Sequence, residues 1–387
     1  MHIGVVAHDG GDPRLPISPT SVGQLLGLGA SISIQSGIGQ HCQWSDADWS
    51  AAGAQVESDR SAILAGADML VSVRPPSIED LRQLRPGSIT ISFLDPFNQR
   101  DLIEAAASAQ VSCLSLEMVP RSTIAQKMDA LSSQHSLAGY YMVLLAAERL
   151  DRILPMMTTP SGTLQPARVF IIGAGVAGLQ AIATAKRLGA RVTAFDTRPE
   201  VAEQVESLGG RFLNIDLGRT GSTEQGYATA LSEEQLAAQQ AGMTKACAES
   251  DIVITTAQLF GRPAPQVISQ DMVSAMRPGS IIIDYAVSSG GNVAGSRADE
   301  EVVVDGVRII GLSNYPGQVA HSATLMLANN IAHMIRHGWD EETKTFSLTK
   351  DEETLSSCLI THAGEVVNPT IRGHYGLPTQ KPEESIA

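Results

Sequence analysis

Three glycines and one aspartate have the spacing of a site that binds the phosphates and one ribose of a dinucleotide. Gly173, Gly175 and Gly178 follow the pattern G-x-G-x-x-G. In such a pattern the first glycine permits a tight turn, the second lets the backbone approach a pyrophosphate, and the third lets a helix pack closely on a strand. Asp196 lies 18 residues after the last glycine, where a carboxylate accepts hydrogen bonds from a ribose diol. The pattern predicts a dinucleotide site; a glycine turn that binds nothing is the structural alternative.

The residues around these glycines predict a strand, a helix and a second strand. Residues 169–172 are β-branched or aromatic throughout and end abruptly at a glycine, which is typical of a buried strand. Residues 179–188 are rich in alanine and predict a helix whose N-terminal amides and dipole would face the phosphates. Residues 191–195 predict the strand that ends at the aspartate. This succession of elements is more specific than the glycines alone.

A second group of polar residues lies before the glycine turn. Gln126, Asp129 and Ser132 recur every three residues, and Arg121 precedes them. This spacing predicts neighbouring faces of one early helical turn. If a dinucleotide domain is paired with another α/β domain, these groups should face the cleft between the two. Polar residues at a helix start are commonly caps or solvated groups, so spacing alone leaves both roles open.

The composition excludes several classes of function. The chain has 387 residues, 27 basic and 41 acidic side chains, and a net charge of −14. This charge argues against a nucleic-acid surface and against an anchor on anionic membranes. Four cysteines lie far apart without a C-x-x-C pair, which predicts small core residues in a reducing compartment and neither metal ligands nor disulfides. The first residues show no signal peptide, and the longest uncharged run, 169–185, contains the three glycines, so no membrane span is predicted.

The hydrophobic pattern predicts an α/β protein with two doubly wound parallel-sheet domains joined by long helices. Early strands alternate with helical segments, at residues 2–7, 30–35, 69–73, 88–93 and 110–115. Long helices are predicted at 134–150 and 322–335, and 387 residues exceed one typical domain. We predict three parts: a first α/β domain of residues 1–135 and 320–376, a Rossmann dinucleotide-binding domain of residues 136–319, and a disordered tail of residues 377–387.

Residues 217–245 interrupt the alternation of strands and helices. The segment begins with several glycines, continues through Tyr227, and ends in a run rich in glutamine and alanine. A loop of this length inside a compact domain is usually functional, and often a lid. The pattern therefore predicts a lid, with a tolerated surface insertion as the alternative.

Longer stretches of the sequence, such as Ile-Gly-Ala-Gly-Val-Ala-Gly-Leu at 172–179, match those of a known family. The matching stretches are residues 120–121, 125–126, 128–133, 137–140, 172–179, 194–201, 203–209, 226–228, 255–257, 263–265 and 290–292. On these motifs, over about residues 14–373, the chain resembles the NAD(H)-binding alpha component of proton-translocating nicotinamide nucleotide transhydrogenase. That component is itself a relative of alanine dehydrogenase.

The resemblance implies a role for individual residues and no metal ion. The three glycines and Asp196 would hold the pyrophosphate and the adenosine ribose of NAD(H). Four polar residues would orient the nicotinamide ring and its carboxamide, the first three of them as catalytic groups: Arg121, Gln126, Asp129 and Ser132. Tyr227 would lie on a mobile loop that closes over the nucleotide. The remaining cofactor contacts that the resemblance implies are Val176, Thr197, Arg198, Thr256, Ala257 and Gln258.

Several positions depart from the family pattern. Ile124 stands where an arginine is expected, Gln258 stands where an aliphatic residue is usual, and Ser288 stands where the family is often acidic. Residues 8–13 also replace a basic-acidic run. We expect these departures to alter individual nucleotide contacts and to leave the class unchanged.

The first predicted domain lacks the general base that amino-acid oxidation needs. Such a base is usually a lysine or histidine with a pKa near neutrality, and the alanine dehydrogenase branch places both where this chain has Arg74 and Asp95. Arginine is too basic, and an ionised aspartate is only an acceptor near pH 7. Hydride passage between two nicotinamides moves no proton at the reacting carbons and needs positioning and exclusion of water. The missing base therefore favours transhydrogenation.

We therefore expect the NAD(H)-binding subunit of a proton-translocating transhydrogenase that exchanges hydride with NADP(H) on a partner subunit. The resemblance implies a membrane-spanning partner subunit, an NADP(H)-binding partner subunit, a homodimer of this chain, and a cytoplasmic location at the inner membrane. Two alternatives remain open. One is a soluble alanine dehydrogenase-like amino-acid dehydrogenase, and the other is a non-catalytic NAD-sensing or scaffold protein.

Overall fold

In the computed structural model of the protein, the residues described are 1–8, 10–218, 231–348 and 354–378. Tyr227 lies outside these residues, as does most of the tail that was predicted to be disordered. The chain divides into two compact units, which are residues 1–134 with 319–387 and residues 135–318.

Residues 1–134 alternate strands with helices. The strands are β1 (His2–Val5), β2 (Ser31–Gln35), β3 (Gln55–Glu57), β4 (Met69–Val71), β5 (Ile89–Ser92) and β6 (Ser112–Ser115). The helices are α1 (Pro19–Gly27), α2 (Asp46–Ala51), α3 (Arg60–Gly66), α4 (Ile78–Gln83), α5 (Arg100–Ser108) and the first residues of α6 (Ala130–Arg149). Ser18, Ser45 and Ser77 form capping boxes, because their side chains accept hydrogen bonds from amides that lack a partner within the helix.

Residues 135–318 continue with α6 and form the second unit. The strands are β7 (Met157–Thr159), β8 (Gly162–Leu164), β9 (Arg168–Ile172), β10 (Arg191–Phe195), β11 (Arg211–Phe212), β12 (Ile252–Thr255), β13 (Ile281–Asp284), β14 (Glu300–Val304) and β15 (Val307–Gly311). The helices are α7 (Val176–Arg187), α8 (Ala202–Ser207), α9 (Glu233–Ala248) and α10 (Gln270–Ser274). The strand, helix and strand predicted around the glycine turn are β9, α7 and β10.

Residues 319–378 return to the first unit. The helices are α11 (Ala320–Gly338), α12 (Thr354–Cys358) and α13 (Pro369–Tyr375). The strands are β16 (Trp339–Asp340), β17 (Thr345–Phe346), β18 (Leu359–His362) and β19 (Glu365–Val366). Among these, β18 and β19 extend the sheet that residues 1–134 begin.

Each unit contains a sheet that is parallel over most of its width. In the first, the order is β19-β18-β6-β5-β4-β1-β2-β3, with parallel pairing from β3 to β6. In the second, the order is β11-β10-β9-β12-β13-β15-β14, parallel from β11 to β15. The predicted pair of doubly wound parallel-sheet domains is confirmed. The carboxyl ends of neighbouring parallel strands therefore meet at one edge of each sheet.

Alternate residues of the central strand β9 enter two separate hydrophobic clusters. Val169 and Ile171 pack in one cluster with α6 and α7, whereas Phe170 and Ile172 pack in the other, on the opposite face, with α9 and α10. Successive side chains of a strand point to opposite faces, so a strand covered on both sides must be apolar throughout. This requirement explains the uninterrupted apolar run before the glycine turn.

The structure differs from the predictions at helix α9 and at the sheet edges. The Gln/Ala-rich part of residues 217–245, predicted to belong to a loop, forms α9, which Ser232 caps. Strands β14, β18 and β19 pair antiparallel at the edges of the two sheets. The hairpin β7–β8 was also not predicted. Its strands are exposed along their whole length, so they lack the buried alternate positions by which a strand is recognised in sequence.

The cysteines and the long helices agree with the sequence predictions. The four cysteines are buried core residues: Cys42, Cys113, Cys247 and Cys358. Within the described ranges, no helix is both long enough and apolar enough to cross a membrane. The same part of the chain contains no cluster of side chains with the composition of a metal site.

Candidate functional site

The glycine turn joins β9 to α7 in the second unit. Gly173 has φ +94°, a left-handed conformation that side chains rarely adopt, and a Cβ there would lie 2.6 Å from Thr256 Oγ1. A Cβ at Gly178 would collide with the carbonyl oxygen of Gly173. A Cβ at Gly175 would meet no atom of the described residues within 4 Å. The chain's own packing therefore requires the outer two glycines, whereas the middle one keeps a space open beside the turn.

The start of α7 presents amide groups to this space. Gly175 is the N-cap residue, and within the described part of the chain no side chain caps the helix. The first amides of a helix lack a partner in the helix and carry the positive end of its dipole. An open space beside such amides fits an anionic pyrophosphate. Val176, the first residue of α7, contributes one of these groups.

The carboxylate of Asp196 lies next to the same turn, immediately after β10. Its Oδ2 accepts a hydrogen bond from the amide of Ala174 at 2.7 Å. Its Oδ1 accepts from the amide and Nε of Arg198, each at 2.9 Å, and its Oδ2 accepts from Nη2 of Arg198 at 2.8 Å. The hydrogen bond to Asp196 raises the pKa of Arg198 above its ordinary value. The predicted ribose ligand is therefore fixed to the glycine turn and paired with a permanent cation; Thr197 lies between the two.

Thr256 and Ala257 follow β12 and reach the glycine turn from the other side of β9. The amide of Thr256 donates to the carbonyl oxygen of Ile172 at 2.8 Å. Its hydroxyl donates to the carbonyl oxygen of Gly173 at 3.1 Å. Because β10, β9 and β12 are adjacent and parallel, their carboxyl ends bring the turn, Asp196 and Thr256 together. Gln258 continues this loop and is half-buried.

Asn292, to which the sequence assigned no role, fixes the loop after β12. Its Oδ1 accepts from the amide of Ala257 at 3.1 Å, and its Nδ2 donates to the carbonyl oxygens of Ala257 at 2.8 Å and Pro265 at 2.7 Å. The buried carboxylate of Asp284, at the end of β13, accepts from the amide of Asn292 at 3.0 Å. An aspartate ending a strand was a visible signal, but the loop that Asn292 holds is 35 residues away in sequence.

The residues predicted to position a nicotinamide lie in the first unit and do not share one helical turn. Gln126 is exposed on the 3₁₀ helix Ala125–Met128. Asp129 leaves that helix and caps α6, because its carboxylate accepts from the amide of Ser132 at 2.8 Å and from its hydroxyl at 2.6 Å. The prediction of a single early turn is therefore wrong. The cap reorients the backbone between Gln126 and Ser132, and Arg121 lies exposed before it.

The three departures from the family pattern lie outside the hydrophobic core. Ile124 is 66% exposed next to Gln126, Ser288 is exposed, and Gln258 is half-buried. Substitutions at such positions change the surface and leave the packing of the sheets intact.

Charged residues at the carboxyl edge of the first sheet are paired with one another. Asp12 accepts from Nη2 of Arg14 at 2.7 Å and from Nε of Arg74 at 3.0 Å. Burial opposes ionisation of Asp12, but the hydrogen bonds and charges of the two arginines outweigh it and lower its pKa to about 2. Burial raises the pKa of Asp95, although Asn98 and Arg74 partly offset this effect. Arg74 is thus committed to Asp12 and does not resemble a general base.

Family models cover nearly all of the chain. The model of the alanine dehydrogenase/PNT N-terminal domain matches residues 8–138, and that of the C-terminal domain matches residues 142–369. The chain belongs to the alanine dehydrogenase/PNT family. This confirms the resemblance that the sequence motifs indicated.

Within the alanine dehydrogenase/PNT family, the chain is more similar to transhydrogenases than to alanine dehydrogenases. The first of the polypeptides that make up NAD(P) transhydrogenase subunit alpha in Rhodospirillum rubrum is 40% identical over 94% of this chain and 96% of that protein. The crystal structure of transhydrogenase from Sinorhizobium meliloti matches with a TM-score of 0.83 at 37% identity, over 96% of this chain and 100% of that one. Alanine dehydrogenase of Halomonas elongata is 27% identical over 94% of each chain.

Proposed function

We propose that this chain is the NAD(H)-binding component of a proton-translocating transhydrogenase, and that it exchanges hydride with NADP(H) on a partner subunit. The glycine turn carries the proposal: the chain's packing requires Gly173 and Gly178, whereas Gly175 leaves a space that only a ligand would need. The similarity to transhydrogenase alpha subunits supports this reaction over other uses of a dinucleotide.

The chain's own groups suit the binding of NAD(H), which supplies the hydride. The amides at the start of α7 bind the pyrophosphate, and Asp196 accepts hydrogen bonds from the adenosine ribose. Thr256, Ala257 and Gln258 line the same edge of the second sheet. In the first unit, Arg121, Gln126, Asp129 and Ser132 orient the nicotinamide and its carboxamide. Their work is positioning, because hydride transfer between nicotinamides moves no proton at the reacting carbons.

The first sheet supports transhydrogenation over amino-acid oxidation. Arg14 and Arg74 share Asp12, so each cation at the carboxyl edge already has a carboxylate partner. A substrate carboxylate would have to compete with Asp12, whose depressed pKa keeps it ionised at neutral pH. This arrangement disfavours the alanine dehydrogenase-like alternative.

We infer that this chain acts in an assembly. Its partners are a membrane-spanning subunit that moves protons and an NADP(H)-binding subunit, which places this chain in the cytoplasm at the inner membrane. A second copy of the chain completes a homodimer. The hairpin β7–β8 supports the dimer, because an isolated hairpin is marginally stable in water and this one exposes Met156, Met157 and Leu164.

The decisive experiment measures hydride transfer in the reconstituted assembly. The purified chain is combined with the membrane and NADP(H)-binding subunits of a related transhydrogenase, and reduction of an NADP analogue by NADH is followed spectroscopically. Transfer that requires this chain supports the proposal. NAD-dependent oxidation of alanine by the chain alone, without such transfer, would establish the alternative. Light scattering should give a mass near twice 40.9 kDa.

A further inference from the structure

The second unit contains a cavity at the edge of its sheet opposite the glycine turn. The cavity lies at the amino ends of β9 and β12 and has a volume of about 410 Å³. Strand β9 is five residues long, so at about 3.3 Å per residue the two edges are roughly 16 Å apart. The cavity is therefore separate from the dinucleotide site on the same sheet. Its volume lies in the range of small-molecule sites.

A buried carboxylate at the base of this cavity orients two arginines. Oδ1 of Asp251 accepts from Nη1 of Arg152 at 2.8 Å and lies 3.2 Å from Nη2 of Arg277. Oδ2 of the same carboxylate accepts from the backbone amide of Arg168 at 2.8 Å. Asp251 is only 6% exposed. The two guanidinium groups are therefore held in fixed positions at the wall of the cavity.

The cavity has more positive than negative charge. Arg168 adds a third guanidinium, whose Nη1 lies 3.5 Å from Oε2 of Glu249. Three cations thus meet two carboxylates, an excess of one positive charge in a chain whose net charge is −14. A guanidinium has five N–H donors, and within the described residues each of these three uses a single nitrogen. The remaining donors are open to a ligand.

We propose that this cavity binds a small molecule that carries a phosphomonoester dianion. Planar guanidinium groups recognise phosphate oxygens through paired N–H donors, and a dianion uses the excess positive charge. Arg152 and Arg277, held from below by Asp251, are the principal ligands, and Arg168 closes the side. An ion-pair network that served only to neutralise Asp251 would need one arginine, not three.

Calorimetric titration of the full chain at low salt, with inorganic phosphate and with ribose 5-phosphate, tests this site. We expect saturable binding of both probes, with or without saturating NADH. In Arg277→Gln and Arg152→Gln, affinity should fall by roughly tenfold or more, as expected when a charge-assisted hydrogen bond is lost. The matched control is Arg297→Gln, since Arg297 is exposed in the same unit and pairs only with Glu300 among the described residues. This control should bind as the wild type does.

Two results would overturn the proposal. One is the absence of saturable binding by wild-type protein. The other is binding that NADH abolishes, or that Arg277→Gln leaves unchanged, because phosphate would then occupy the glycine turn or no defined site. NADH titration of each variant provides the folding control, since the dinucleotide site lies at the opposite edge of the sheet.

Discussion

The guanidinium of Arg198 lies against the carboxylate of Asp196, with Nε 2.9 Å from Oδ1 and Nη2 2.8 Å from Oδ2. Both side chains are largely buried, with exposures of 14% and 4%. Asp196 therefore faces the ribose as one half of an ion pair. A free aspartate at this position would repel a 2′-phosphate strongly, whereas the arginine weakens that repulsion. The pair sets the preference for NAD(H) over NADP(H).

The first prediction is that Arg198→Ala sharpens the preference for NADH. Wild-type protein should bind NADH more tightly than NADPH. Removing the guanidinium should lower NADPH affinity by about a further tenfold, because the charge of Asp196 is no longer offset, and should change NADH affinity by less than about threefold. Fluorescence titration of the isolated chain with each nucleotide measures both constants. Arg191→Ala, at the exposed start of β10, is the control; unchanged or tighter NADPH binding by Arg198→Ala would contradict the prediction.

The second prediction is that Asn292→Ala weakens NADH binding by about tenfold or more. The amide of Asn292 makes hydrogen bonds with the amide of Ala257 and with the carbonyl oxygens of Ala257 and Pro265. Its removal leaves these buried groups unpaired and releases the loop beside the glycine turn. NADH titration measures the loss, and Asn98→Ala, an exposed asparagine of the first unit, is the control. Equal NADH affinity in Asn292→Ala and wild type would show that the loop does not contribute to the site.

The third prediction is that Gln126→Asn slows hydride transfer and spares NADH binding. The glycine turn and Asp196 provide most nucleotide contacts in this proposal, whereas Gln126 sets the approach of two nicotinamide rings. Shortening the side chain withdraws its amide by about 1 Å, which costs on the order of 100-fold in rate. Single-turnover transfer to an NADP analogue, with partner subunits present, gives the rate.

Gln83→Asn on α4 is the matched control for Gln126→Asn, because it shortens another exposed glutamine of the same unit. A rate within twofold of wild type would make Gln126 a solvated residue of the 3₁₀ helix. A fall in affinity equal to the fall in rate would make it a ground-state binding residue.

The fourth prediction concerns acid stability. The pKa of Asp12 is about 2 in the folded chain, below its ordinary value of 3.8, so its ionised form stabilises the fold at neutral pH. A depressed pKa gives stability that is present above the unfolded value and is lost as pH falls through the folded value. Asp12→Asn should therefore lower the free energy of unfolding by roughly 2 kcal/mol at pH 7. The difference from wild type should shrink to about half at pH 3.

Urea unfolding at pH 7, 4 and 3 measures this dependence. Asp101→Asn is the control, since Asp101 is exposed on α5, and it should change the free energy of unfolding by less than about 0.5 kcal/mol at each pH. A difference between wild type and Asp12→Asn that stayed constant across this range would show that the carboxylate charge is not what stabilises the cluster.

Local patterns were sufficient to predict the glycine turn and the central strands. Gly173 and Gly178 are needed by atoms within a few residues of themselves or on the adjacent strand, and β9 must be apolar because both of its faces are covered. The helix α9 was missed for the opposite reason: its Gln/Ala-rich sequence has little apolar periodicity, and packing against the sheet determines its conformation.

The sequence by itself determined the fold class, the family and the positions of the nucleotide-binding motifs, because these depend on short-range periodicity and on glycine geometry. Only the tertiary structure decided which polar groups meet. Asn292 holds a loop 35 residues away, Arg74 reaches Asp12 across 62 residues, and Asp251 gathers arginines from separate loops. A hydrogen bond requires two atoms within about 3 Å. Sequence spacing does not encode that distance once the chain has crossed between parallel strands.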